Sequence, residues 1–142
     1  MPRVGQNPNR SADAERFEST FVAVITHLPN TTTAYHAKRF EVVRACLTTM
    51  RENAKMPHTF IVWDNGSEQT FRNWLQDVFR PDVLILSKNV GKVTARTTLG
   101  RMIPPEAVIA ISDDDMLYED DWLVPQIELL QHFPNVACVS GY

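Results

Sequence analysis

The sequence predicts an α/β domain built on a mainly parallel sheet flanked by helices. Three observations predict it. Short apolar runs alternate with helical periodicities along most of the chain, the pattern of β-α-β units. The runs do not alternate apolar with polar, as expected for strands covered on both faces. Prolines punctuate the segments: Pro57, Pro81 and Pro104-Pro105 each follow a helical stretch. A chain of 142 residues, 44% hydrophobic and 22% charged, is enough for one domain with a real core.

Residues 1–17 are polar and contain Pro, Gly, Asn and Ser, which predicts a mobile N-terminal arm ahead of a domain over 18–142. Phe21 to Ile25 is the first strand, and THLPNTTT the loop after it. From Ala34 a helix is expected, with Phe40, Val43, Leu47 and Met50 on one apolar face. Lys38, Arg39, Arg44 and Arg51 fall mostly elsewhere on that wheel and read as a solvated face. Thr59 to Trp63 is the second strand, ending in the tight turn Asp64-Asn65-Gly66-Ser67. Phe71, Trp74, Leu75, Val78 and Phe79 fit a second helix, with the aromatics in the core. Val83 to Leu86 is the third strand, and about Val93 to Met102 a shorter helix. Val108 to Ile111 is the fourth strand. A fourth helix carries Trp122, Leu123, Ile127, Leu130 and Phe133, with Asp120 or Asp121 as its cap and Pro125 in its first turn. Val136 to Val139 reads as a fifth strand. One Rossmann-like domain accounts for this order.

Composition excludes several classes. A formal net charge of −3 argues against a generally basic nucleic-acid binder. Cys46 and Cys138 sit in apolar surroundings without a C-x-x-C pattern, so they read as reduced core thiols of a cytoplasmic protein. No apolar run is long enough to span a membrane, and the N-terminus lacks the apolar core of a secretion leader. There is no G-x-x-x-x-G-K-[ST] loop, no G-x-G-x-x-G and no G-x-S-x-G, which argues against P-loop ATPases, dinucleotide dehydrogenases and nucleophile-elbow hydrolases.

In open α/β sheets ligands bind at the carboxyl ends of strands. Four polar sets fall there: Thr26, His27, Leu28 and Pro29; Asp64 and Asn65; Lys88, Asn89, Gly91 and Lys92; and the run Asp113-Asp114-Asp115. His27 on its own reads as a structural or solvated histidine. Three adjacent carboxylates repel one another unless solvated, hydrogen-bonded or neutralised by a cation. Mg²⁺ and Mn²⁺ bridge such groups to substrate phosphates, so a metal–diphosphate site is the leading reading. An acidic helix cap is the bland alternative.

These segments carry a family resemblance. FVAVITHLPN, FIVWDNGS, NVGKVTARTTLG and ISDDDMLYEDDWL, in that order, resemble the nucleotide-sugar-binding half of a GT-A fold glycosyltransferase, most similar to family 2 inverting enzymes. The resemblance covers about residues 20–142. It implies that Asp64 accepts a hydrogen bond from the donor's base and that Thr26, His27 and Pro29 line base and ribose. It implies that Lys92 and Arg96 face the nucleotide, that Asp113 meets the ribose or a metal-bound water, and that Asp115 holds a divalent cation, Mn²⁺ or Mg²⁺. Asp114 takes a supporting role. The expected partners are a nucleoside diphosphate sugar and an acceptor of unknown identity. In this family the catalytic base and acceptor site come from a segment beyond residue 142. The chain is therefore expected to be a fragment, a minimal form, or a chain completed by a partner. A non-catalytic nucleotide-sugar-binding module is the second reading, and a nucleotidyltransferase the third.

Overall fold

The computed structural model describes residues 17–30, 32–34, 36–133 and 135–140. Of the expected arm only Phe17 lies among them, outside any regular element. The elements run β1 (Thr20–Thr26), α1 (Arg39–Glu52), β2 (Thr59–Asn65), α2 (Gln69–Trp74), β3 (Val83–Ser87), α3 (Lys92–Met102), β4 (Val108–Ser112) and α4 (Val124–His132). The strands form one all-parallel sheet in the order β3-β2-β1-β4. This is the α/β, Rossmann-like arrangement that the alternation of segments predicts.

Successive strand residues face opposite sides of a sheet, and both sides are used here. Val22, Val24, Phe60 and Val62 pack against Val43, Leu47 and Met50 of α1, Phe71 of α2 and Ile127 of α4. Ala23, Ile25, Ile61 and Trp63 pack on the other side against Ala95 and Leu99 of α3. Full burial of a side chain such as Phe60 or Leu47 contributes roughly 1.5–3 kcal/mol. Phe40, Phe60, Phe71, Trp74 and Phe79 form a chain of ring contacts with centroids 5.4–5.8 Å apart. They are core, as their spacing predicts.

Each strand extends past its apolar run into polar residues. Thr26 pairs with Asp64, and Asn65 with Ser87, inside the parallel ladder. The site residues at these ends are thus held by the sheet itself and not by loops.

Several expectations need correction. α1 begins at Arg39, after turns that include Ala34 and His36. α2 continues as a π turn, Leu75–Phe79, closed by the Arg80 N–H on the Leu75 carbonyl at 2.8 Å. Arg51 does not belong to a solvated face. It lies over the Phe79 ring at 4.2 Å and donates to the Phe79 and Arg80 carbonyls, 2.8 Å each. Those carbonyls end a helix and need donors. The N-cap of α4 is Leu123, without a side-chain cap, and Pro125 sits in the first turn. Asp120 instead pairs with Lys55 at 2.8 Å, and Asp121 adopts φ 60°. Residues 136–140 form no strand, since among the described residues none pairs with them. An apolar run becomes a strand only with a neighbour to take its N–H and C=O groups. Cys138 is accordingly exposed, while Cys46 is a buried core thiol.

Gly66 illustrates a backbone constraint. Its φ is +88°, and a Cβ there would lie 2.7 Å from the Asn89 backbone nitrogen. Gly66→Ala is expected to lower unfolding free energy in urea by about 2 kcal/mol or more. Gly100→Ala, within α3 and facing open space, is expected to raise it by about 0.5–1 kcal/mol.

Candidate functional site at the carboxyl edge of the sheet

β1, β2 and β4 deliver the polar residues, and two arginines from outside the expected set hold them. Asp64 is fully buried at the end of β2. Its Oδ2 accepts from Arg72 Nε at 2.7 Å and from the Ser67 N–H at 3.2 Å. Arg72 also donates from Nη2 to the Ser87 carbonyl at 2.7 Å, tying α2 to the end of β3. Asp64 Oδ1 and its register neighbour Thr26 Oγ1 are buried with no partner. A buried acceptor or hydroxyl left unpaired is costly and needs an explanation. The two residues are register partners at the ends of paired strands.

The loops after β1, β2 and β3 are laced together around this point. The Leu28 N–H donates to Ser67 Oγ at 2.9 Å. His27 Nδ1 lies 2.9 Å from the Asn65 carbonyl, so the histidine has a structural partner. Asn65 Oδ1 accepts from the Val90 N–H at 2.8 Å, and Asn65 Nδ2 donates to Asn89 Oδ1 at 3.2 Å. Pro29 is exposed on its loop.

The three aspartates after β4 diverge. Asp114 turns inward, its side chain only 10% exposed, and pairs closely with Arg39. The His27 backbone N–H also supports Asp114. Burial nonetheless raises its pKa, with Arg39 opposing. Asp113 and Asp115 remain 45% and 54% exposed. Asp113 Oδ1 accepts from Lys92 Nζ and Arg96 Nη2, both at 2.6 Å. The Lys92 hydrogen bond leads in holding the Asp113 carboxyl below its usual range. Asp115 Oδ2 is 3.6 Å from Arg39 Nη1, an ion pair at longer range.

α1 carries this whole segment. Beyond Arg39, Cys46 Sγ lies 3.5 Å from the Asp113 carbonyl. The Tyr118 N–H donates to Thr49 Oγ1, Asn53 Nδ2 to the Tyr118 carbonyl, and Trp122 Nε1 to the Met50 carbonyl. The Tyr118 hydroxyl bonds Ser112 Oγ, and its ring packs on Trp122.

Thr26 and Asp64 therefore meet at one end of the sheet, and Lys92 and Arg96 meet Asp113. Arg39, which the helical wheel places on a solvated face, and Arg72 both lie outside the set of residues that the sequence predicts for this edge. Among the described residues no three His, Cys, Asp or Glu side chains converge to cage a metal. The donor set suits an ion held by one or two carboxylates, its other positions left to water and phosphate oxygens.

A family model described as glycosyl transferase family 2 matches residues 32–142. No curated protein and no solved structure matches the chain.

Two measurements check this geometry. Arg72→Met strands the buried Asp64 carboxylate and is expected to cost about 3–5 kcal/mol in urea unfolding, with much of it recovered in Arg72→Met/Asp64→Leu. Burial is the main reason the Cys46 thiol is pushed up from 9.0 to about 11. A raised folded pKa means full stability below pH 9 and loss as pH rises from 9 to 11, because the unfolded thiol ionises first. Unfolding free energies measured across that range should fall more steeply in the native chain than in Cys46→Ala.

Proposed function

The chain belongs to glycosyl transferase family 2, and from that premise we propose that it binds a nucleoside diphosphate sugar at the carboxyl edge of its sheet for metal-dependent, inverting transfer. The observation that carries this reading is the convergence of two unlike subsites on one edge. Asp64 and Thr26 offer buried, unpartnered polar atoms suited to the edge of a planar base. Asp113 and Asp115, flanked by Lys92 and Arg96, offer the mixed charges suited to a diphosphate and its cation.

Asp64 is oriented for the base by Arg72, which occupies one carboxylate oxygen and leaves the other. Thr26, with His27 and Pro29 just beyond it, lines base and ribose. Asp115 would hold Mn²⁺ or Mg²⁺ and Asp113 would assist it or meet the ribose, while Asp114 anchors the loop through Arg39. The bound ion supplies charge neutralisation of the leaving diphosphate. Lys92 and Arg96 stand where they add to it. In the reaction an acceptor oxygen forms a bond to the anomeric carbon from the face opposite the diphosphate. The carbon–oxygen bond to the nucleotide breaks, and a base takes the acceptor's proton.

A non-catalytic donor-binding module, using the same Asp64 and Asp113–Asp115 groups, is the second reading. Titration with UDP, GDP and dTDP, with and without Mn²⁺, tests both. One nucleotide is expected to bind in a Mn²⁺-dependent way, and Asp115→Ala to weaken that binding about tenfold or more. Absence of any metal-dependent binding sinks the site reading. Binding without donor hydrolysis or transfer supports the module.

A further inference from the structure

Two exposed patches of this chain are opposite in charge, and both present apolar side chains. The first is the segment from Asp115 to Asp121. Between Asp113 and Asp121 there are six acids and no basic residue. Met116 and Leu117 in their midst are 51% and 73% exposed. A slack loop does not explain this exposure. Cys46 Sγ lies 3.5 Å from the Asp113 carbonyl, the Tyr118 N–H donates to Thr49 Oγ1 at 3.3 Å, and Asn53 Nδ2 donates to the Tyr118 carbonyl at 2.7 Å. The backbone is thus tied to α1 on both sides of Met116 and Leu117, and their side chains are held out to solvent. One exposed apolar residue needs no explanation, whereas an adjacent pair on a tied backbone marks a contact surface.

The second patch is the outward face of α3. From Val83 to Pro105 the chain has four basic residues, Lys88, Lys92, Arg96 and Arg101, and no acid. Ala95 and Leu99 take the inward face of the helix. Val93, Thr97 and Arg101 recur at every fourth residue on the outward face and are all exposed, Val93 at 79%. Open space lies over Gly100 beside them.

Within one chain these charges are only partly used. Lys92 and Arg96 pair with Asp113, Arg39 with Asp114 and Asp115, and Lys55 with Asp120. Glu119 and Asp121 on the acidic patch, and Lys88 and Arg101 on the basic one, form no ion pair among the described residues. The patches also belong to opposite sides of the sheet. The acidic segment follows α1, which packs with Val22 and Phe60, whereas α3 packs with Ala23 and Ile61. The outward face of α3 therefore cannot meet the acidic segment of its own chain, but a second copy brings the two together.

We propose that copies of this chain associate head to tail, with the outward face of α3 in one copy seated on the Asp115–Asp121 segment of the next. Met116 and Leu117 cover Val93 across the contact, and Lys88 and Arg101 face Glu119 and Asp121, so the potentials of the two patches match. Two different patches make a heterologous contact, which runs on from copy to copy or closes as a ring. It does not depend on what the candidate site binds.

Sedimentation velocity on the full chain, across a range of concentrations, tests this. The native chain is expected to self-associate, and to do so about threefold or more weakly in about 0.5 M salt than in about 0.05 M salt. Arg101 and Glu119 are exposed, so Arg101→Glu and Glu119→Lys leave the fold intact. Each is expected to weaken association about threefold to tenfold, and Leu117→Ser to weaken it by a similar factor. An equimolar mixture of Arg101→Glu and Glu119→Lys is expected to regain the native association, because each reversed charge then meets its complement. A native chain that is monomeric at every concentration overturns the proposal. So does association that survives all three substitutions, or a mixture that associates no better than either variant alone.

Discussion

A carboxylate with no exposure to water must receive its countercharge from the protein, and Asp64 is where this fold meets that demand. Arg72 answers from α2, and with its other nitrogen it reaches the end of β3. The Ser67 N–H answers from the turn, while the Ser67 hydroxyl holds the loop after β1. One buried charge thereby fixes the relative positions of three strand ends. Replacing it with an apolar residue would relieve the desolvation cost and also remove the reason for this lacing. The pair is best understood as what keeps the edge in one arrangement, with one carboxylate oxygen left over.

The second organising element is α1. Its inward face holds up the sheet through Val43, Leu47 and Met50. Its flank, at Arg39, Cys46, Thr49, Met50 and Asn53, meets the segment from Asp113 to Trp122. Residues three, four and seven apart share a helix face, so one flank of a helix can serve as a rail for an irregular segment. This is why three consecutive acids separate in environment. Arg39 on the rail takes Asp114 inward, and the turn at Asp114 and Asp115 leaves Asp113 and Asp115 half exposed.

The sequence made the strands legible because apolar runs bounded by prolines and polar turns have few other readings. The carboxyl-end rule then drew Thr26, Asp64, Lys92 and Asp113 to Asp115 toward one edge. The strand ends were less legible, because polar residues such as Asp64 and Ser87 continue the ladder through backbone bonds that side-chain type does not reveal. The two arginines were illegible for different reasons. Arg39 and Asp114 are 75 residues apart in sequence, so their pairing depends on how a helix and a distant loop come together. Arg72 is only eight residues from Asp64, yet the pairing needs the turn at Gly66 to bring α2 back across the strand end. The apolar run at Val136 misled, since hydrophobicity records a preference for burial and a strand also needs a partner.

The π turn at Leu75–Phe79 has a consequence for length variation in this family. A wider turn fits one more residue than an α-helical one over nearly the same rise. Here that extra residue sets the phase with which the chain leaves α2. Phe79 faces inward onto Phe60 and Trp74, Arg80 turns left-handed, and Asp82 reaches the Phe60 N–H at 2.7 Å. Removing one residue would return the segment to an α-helix and rotate everything after it by about a hundred degrees. The start of β3 would lose its register with β2. A relative that lacks the residue must therefore either compensate in the connection at Pro81-Asp82 or enter its third strand by a different path.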